Sequence, residues 1–297
     1  MKTQLSLACS PPFDFNKCLN ALYRSTDEIL YQVIDGSVFR LIKLENEYIP
    51  VALTGRGNEI IIETPQSLTP HQTEQLKQYV GRWFDVDRDL KPFYALVESH
   101  PKLAHLSSQL HGLRIMGIPD LFEALCWSII GQQINLSFAH KLKRRLVELY
   151  GEKLTWKEMD LYHFPSPEKI LTIDEEYLHN HQQFSRSKLK YLKNVAQAFV
   201  SGNISHQRLL TLPDFESQQA LLTSVKGIGV WSANYVLMKS FGAPKAIPFG
   251  DTGLTQALFN LGLIDDRKNE DAIRAFFKTM PGWEAYTVFY LWNSLSS

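Results

Sequence analysis

The chain has 297 residues, 44% of them hydrophobic, 12% aromatic and 21% charged. At about 150 residues per domain, that is enough to bury one large core or two moderate ones, and it excludes a disordered chain. Lys and Arg total 31 against 31 Asp and Glu, which argues against a protein that coats nucleic acid by charge alone. The charge is unevenly spread: residues 1–100 carry 10 basic and 13 acidic side chains, residues 101–200 carry 13 and 10, and the remainder 8 and 8. The basic surplus includes Lys141, Lys143, Arg144 and Arg145, then Arg186, Lys188, Lys190 and Lys193. Taken alone, such runs read as solvated helix faces.

The N-terminus, MKTQLSLACSPPFDF, has one lysine and a short apolar patch but no sustained signal-peptide core. No apolar run approaches the ~18 residues of a membrane helix. The expectation is a cytoplasmic monomer with no membrane association; the sequence points to no protein partner. Cys9, Cys18 and Cys126 stand apart, without a C-x-x-C pair, which argues against disulfides, structural zinc and a cysteine-ligated iron–sulfur cluster. No metal site is expected from side-chain ligands.

In chain order, a helix is expected over Phe15–Arg24, behind Pro11-Pro12. Strands follow at Ile29–Ile34 and Val38–Leu44, with Asp35-Gly36 between them as a hairpin turn. Two more, Tyr48–Leu53 and Glu59–Glu63, flank Thr54-Gly55-Arg56-Gly57-Asn58. A helix from Pro70 to Phe84 has Thr69 as its N-cap. From about Lys91 the period is helical: Leu121–Ile130, Asn135–Tyr150, Ser187–Val200, Phe215–Thr223, Val230–Phe241, Thr252–Leu261, Asp271–Met280 and Trp283–Leu295. The fold class is therefore α+β. Residues 1–100 form a small antiparallel sheet with flanking helices, and residues 101–297 an all-α bundle.

Chemistry concentrates in Leu221–Leu258. Val225-Lys226-Gly227-Ile228-Gly229 lies between two helices, so its glycines permit a tight turn whose amides point outward. The second helix adds its N-terminal dipole, making a phosphate site without a cationic side chain. An ordinary helix–helix turn has the same composition. Twenty-two residues past Gly229, Pro248-Phe249-Gly250 precedes Asp251. Aspartate is a favoured N-cap in any helix. It is equally a carboxylate held in one orientation, suited to stabilising an oxocarbenium-like sugar or to activating a water against it. Trp231 and Tyr235, four apart, share a helix face beside the turn. From spacing alone they read as readily as core packing as they do as an aromatic face beside the turn.

A Gly-rich helix–hairpin–helix followed by a Pro/Gly-flanked aspartate resembles the helix–hairpin–helix DNA glycosylase superfamily, and within it the DNA-3-methyladenine glycosylase II branch. Phe122-Glu123-Ala124-Leu125 through Ile129-Ile130-Gly131-Gln132-Gln133-Ile134, Phe184-Ser185-Arg186-Ser187-Lys188 with Tyr191-Leu192, and Pro281-Gly282-Trp283 with Tyr286 and Leu291-Trp292 are similar to further motifs of that branch. The first hundred residues, from Pro11-Pro12-Phe13-Asp14, resemble a mixed N-terminal sheet expected only there. The resemblance implies a monofunctional glycosylase that flips alkylated purines from damaged double-stranded DNA and excises them in base excision repair.

By position, it makes Asp251 the catalytic carboxylate and Trp231, Tyr235 and Trp283 the base pocket. The hairpin of Gly227 and Gly229, with the Val225 and Ile228 carbonyls, grips the DNA backbone and holds at most a monovalent cation as cofactor. Gln132 and Gln133 stand where the family inserts a wedge. Relatives with lyase activity carry a lysine in the pair after the hairpin; here that pair is Val230 and Trp231, implying an abasic product. Thr252 and Ala21 replace aromatic residues of the family pattern, which leaves lesion range open among methylated purines, hypoxanthine and ethenoadenine. Alternatives are a glycosylase for oxidised purines and a non-catalytic lesion-binding clamp.

Overall fold

In a computed structural model, which describes residues 3–23 and 25–295, the chain opens with a strand, β1 (Thr3–Ala8), and a helix, α1 (Phe15–Leu22). Four strands follow: β2 (Tyr31–Ile34), β3 (Ser37–Leu44), β4 (Glu47–Arg56) and β5 (Glu59–Thr64), then α2 (Pro70–Phe84). All five strands form one antiparallel sheet in the order β1-β5-β4-β3-β2. Strand β1 is an addition to the expected set. Its Leu5 and Leu7 alternate with polar residues and pair with Ile62 and Ile60 of β5, so the patch read against a signal peptide is an edge strand. Strand β4 runs on through Gly55, because Phe15 lies flat on it: a Cβ at Gly55 would stand 2.4 Å from that of Phe15.

Asp14 caps α1, accepting the Lys17 amide at 3.0 Å; the helix's expected end at Arg24 lies outside the described residues. Thr69 and Gln72 form a capping box that starts α2. Phe15 and Phe84 stack at 5.5 Å between these helices. They sit over the face of the sheet that carries Val38, Ile42, Leu53 and Ile62, all at or near zero exposure.

The helical region comprises α3 (Lys91–Ser99), α4 (Ala104–Gln109), α5 (Leu121–Ile130), α6 (Leu136–Tyr150), α7 (Pro167–Leu171), α8 (Glu175–Gln182), α9 (Arg186–Val200), α10 (His206–Leu210), α11 (Phe215–Thr223), α12 (Val230–Phe241), α13 (Thr252–Asn260), α14 (Glu270–Phe277) and α15 (Glu284–Ser294). It is not purely helical. A hairpin, β6 (Glu152–Trp156) and β7 (Met159–His163), turns back onto the outer face of the N-terminal sheet. There Leu161 joins Phe39, Leu41 and Ala52 in a small separate core. The main core crosses from sheet to bundle without a gap, and a buried Arg40–Glu123 ion pair ties β3 to α5. Among the described residues no helix is long and apolar enough to cross a membrane.

Three packing choices place the site. Helix α12 lies against α5 and α11, and α13 lies against α15. Asn234 on α12 donates to the Ile247 carbonyl at 2.7 Å and accepts from Gln219 on α11. The loop before Asp251 is thereby fixed to the two hairpin helices.

Candidate active site and nucleic-acid interface

Between α11 and α12 the chain closes a tight turn, the Ile228 amide donating to the Val225 carbonyl at 3.0 Å. Gly227 has φ +111, and a Cβ there would stand 2.5 Å from the Tyr191 ring, so only glycine fits. Ile228 is 5% exposed and plugs into the core, as its place between two glycines suggests. Gly229 meets open space, with nothing within 4 Å of a Cβ position. It is the N-cap of α12 and supplies no side chain to the first amides of that helix, which leaves them for an outside acceptor such as a phosphate. The turn is held from behind: Asn194 Nδ2 donates to the Lys226 carbonyl at 3.0 Å and Gln132 Nε2 to the Gly227 carbonyl at 2.9 Å.

Gln132 therefore braces the hairpin, whereas its neighbour Gln133 is exposed, with φ +58. The two glutamines are placed differently, which their adjacency in sequence does not reveal. The loop that carries them is anchored by Lys188, whose Nζ donates to the carbonyls of Ile129 at 3.1 Å and Gln132 at 2.6 Å. Burial pushes the Lys188 amine down to about 8.

Asp251 caps α13. Its Oδ1 accepts the Leu254 amide at 2.7 Å and the Trp292 indole N–H at 2.9 Å. Among the described residues no donor reaches Oδ2. One oxygen is thus fixed by two donors, and the other accepts none of the hydrogen bonds among the described residues. The capping and the reactive readings of Asp251 are compatible, because they use different oxygens.

Beside this carboxylate stands an aromatic wall. Trp231 and Tyr235 stack at 5.4 Å with planes 14° apart, and Tyr235 lies 6.3 Å from Trp292. Trp127 on α5 donates its indole N–H to the Tyr235 hydroxyl at 3.1 Å. All four rings are half-buried. Trp283 is not among them. It stands at the opposite end of α15, about 13 Å along the axis from Trp292 at 1.5 Å per residue, with its ring against Phe93 and Tyr286. Nine residues span two and a half turns, so these two tryptophans could not both face Asp251. Nothing local in the sequence marks Trp292 or Trp127, because each meets its partner only through tertiary packing. Of the positions that depart from the family pattern, Thr252 is exposed at the first turn of α13 and Ala21 is buried in α1.

The basic runs are largely engaged within the molecule. Arg144 pairs with Asp27 and Glu148, Arg186 with Glu176, and Lys193 with Glu175. Arg145 donates to Gln182 and Gln183. Lys143 and Lys188 are buried, leaving Lys141 and Lys190 exposed. All three cysteines are buried thiols, with burial pushing Cys9 and Cys18 up to about 12.

Both the sequence and the fold match known proteins. Residues 126–281 match the model of the HhH-GPD superfamily base excision DNA repair proteins. The chain belongs to that superfamily. Residues 4–125 match the N-terminal domain of 8-oxoguanine DNA glycosylase, so the N-terminal sheet is not confined to the alkylation branch as expected.

A DNA-3-methyladenine glycosylase of Bacillus subtilis is 32% identical over 95% of this chain and 94% of its own length. DNA-3-methyladenine glycosylase 2 of Escherichia coli is 28% identical over 64% of this chain and 63% of its own. In fold, the chain is similar to a 3-methyladenine DNA-glycosylase from Archaeoglobus fulgidus, with a TM-score of 0.84, 22% identity and coverage of 98% and 97%. It is also similar to a Clostridium acetobutylicum 8-oxoguanine glycosylase/lyase solved with double-stranded DNA, with a TM-score of 0.76, 18% identity and coverage of 96% and 92%. The chain is a DNA glycosylase of base excision repair.

Proposed function

We propose that this glycosylase flips alkylated purines of the 3-methyladenine type out of duplex DNA and hydrolyses their glycosidic bond, leaving an abasic site. The observation that carries the reading is the pairing of Asp251, one oxygen fixed and one open, with the stacked Trp231 and Tyr235. A purine methylated at N3 or N7 is cationic while joined to the sugar. It is held by electron-rich ring faces and leaves as a neutral base, so no strong general acid is needed. As the C1′–N bond breaks, its electrons depart with the base. The Asp251 Oδ2 opposes the charge that develops on the sugar, and the water that adds to C1′ gives up its proton to that carboxylate. Trp292 enters the proposed pocket in place of Trp283. Gln133 serves as the wedge that fills the gap left by the flipped base, and Gln132 supports the hairpin. A monovalent cation on the Val225 and Ile228 carbonyls would draw in a phosphate oxygen; the Ile228 carbonyl has no donor among the described residues.

Hydrolysis without strand cleavage is supported by the surroundings of the nearby lysines. The pair after the hairpin, Val230 and Trp231, carries no amine; Lys226 lies within the hairpin itself, and Lys239, further down α12, is turned to the Met116 carbonyl and the Phe289 ring. A second reading, excision of an oxidised purine, is favoured by the N-terminal match to 8-oxoguanine DNA glycosylase. Duplexes bearing 7-methylguanine or 8-oxoguanine, incubated with the enzyme and analysed before and after alkali, distinguish the two. The proposal expects release of the methylated base and a strand that breaks only after alkali. Cleavage without alkali, or release of 8-oxoguanine alone, would overturn it.

A further inference from the structure

Behind the aromatic wall lies an ion pair that the proposed chemistry does not use. Glu28, just ahead of β2, accepts the amides of Ile29 and Leu30 on Oε1, both at 2.9 Å, and the Lys143 ammonium of α6 on Oε2. Both side chains are 6% exposed. Burial works to raise the Glu28 carboxyl, but the Lys143 ammonium and the Leu30 amide outweigh it and hold it below its ordinary value. The Lys143 Nζ lies 4.7 Å from the centre of the Trp127 ring, and the His140 ring lies 4.8 Å from it. From Trp127 the path continues through its N–H to Tyr235, then across the Tyr235 and Trp292 rings to Asp251.

For stability alone, an apolar pair would serve this position as well. What the ions add is direction. The amides fix Glu28, Glu28 fixes the ammonium, and the ammonium fixes the plane of Trp127. A cation already on that ring repels a second one, so a positively charged base is left to Trp231 and Tyr235. Its attraction to them requires a ring face presented squarely to the charge, whereas burial of a neutral base is non-directional.

We infer that Lys143, held by Glu28, is a specificity-determining positioning residue. It sets Trp127, and through the indole N–H the Tyr235 ring, so that the pocket offers aromatic faces to a cationic base. The inference rests on the reading of this pocket as one for alkylated purines, and it gives the N-terminal domain a part in lesion choice.

The test uses Lys143→Met/Glu28→Gln, which removes both ions together rather than stranding one of them beside His140, 3.6 Å from the Glu28 carboxylate, alongside Trp127→Phe, which keeps a ring but loses the N–H. Values of kcat and KM are measured separately on duplexes bearing 7-methylguanine (cationic) and hypoxanthine (neutral). The expected result in both variants is a fall of about 3- to 10-fold in the kcat/KM ratio of cationic to neutral lesion, the worth of one neutral hydrogen bond, carried by KM for the cationic lesion. Loss on both lesions alike, or an unchanged ratio in the folded variants, would overturn the inference. The Trp127 indole N–H resonance, assigned by its absence in Trp127→Phe, reads the same geometry without turnover. Were the wild type to release no methylated purine, the functional reading would fail, while the nuclear Overhauser contact between this N–H and the Tyr235 ring would still decide: it weakens in the double variant if the ion pair positions Trp127 and is unchanged if it does not.

Discussion

Replacing Trp292 by phenylalanine isolates one hydrogen bond in the site. The ring beside Tyr235 is kept, and the indole N–H that reaches Asp251 Oδ1 at 2.9 Å is lost. A hydrogen bond to an ionised group is worth about 1.5–3 kcal/mol. The Leu254 amide still holds the same oxygen at 2.7 Å, so the carboxylate stays at the helix start and loses only its second anchor. The low end of that range applies, and at about 1.4 kcal/mol per decade kcat falls by roughly tenfold. Single-turnover release of 7-methylguanine from a duplex measures the change, and fluorescence anisotropy with the same duplex checks that DNA affinity is unaltered. A rate within twofold of wild type, or a rate loss fully matched by lost DNA binding, would refute the role given to this bond.

Two hairpin glycines separate folding from binding. Gly227→Ala forces a Cβ to within 2.5 Å of the Tyr191 ring at φ +111, and chemical denaturation should show a loss of about 3 kcal/mol. Gly229→Arg meets open space, so its stability should match wild type while affinity falls alike for damaged and undamaged duplexes, as anisotropy will show. Gln133→Gly relieves a positive φ of +58, so its melting temperature should hold or rise, while excision from a fully paired duplex slows more than excision opposite a mismatch. Burial lowers the Lys188 amine from its ordinary 10.5 to about 8. Between those values the unfolded chain binds more protons, so this residue makes stability rise with pH there. Denaturation curves from pH 7 to pH 10 should show that slope reduced in Lys188→Met, and an identical slope would count against the assignment.

What the sequence reveals here is what lies close together along it. The Thr69 cap, the Asp35-Gly36 turn, the glycine hairpin and the Asp251 helix start are all local, and each is found where residue chemistry puts it. Trp231 and Tyr235 are legible because four residues on a helix make one face. The β6–β7 hairpin was not legible, because its turn residues, Lys157 and Glu158, adopt φ +49 and +62 without the glycine or asparagine that marks such turns. Its strands do alternate, and β1 alternates as well; both are short and lie at the periphery. The tryptophan beside Asp251 was the harder problem. Trp283 and Trp292 share a helix, and only the packing of α15 on α13 decides which of them meets the carboxylate. The division of labour between Gln132 and Gln133 likewise depends on a backbone angle and on a contact across 95 residues.

Whether Asp251 drives excision of an alkylated base is decided by Asp251→Asn. Asparagine retains an oxygen that can accept from Leu254 and Trp292, so the cap, the fold and DNA affinity are preserved while the negative charge is removed. With a duplex bearing 7-methylguanine, wild type should release the base, and the variant should release it at least about a hundredfold more slowly while binding the duplex equally well. Release at the wild-type rate by the asparagine variant would contradict the account.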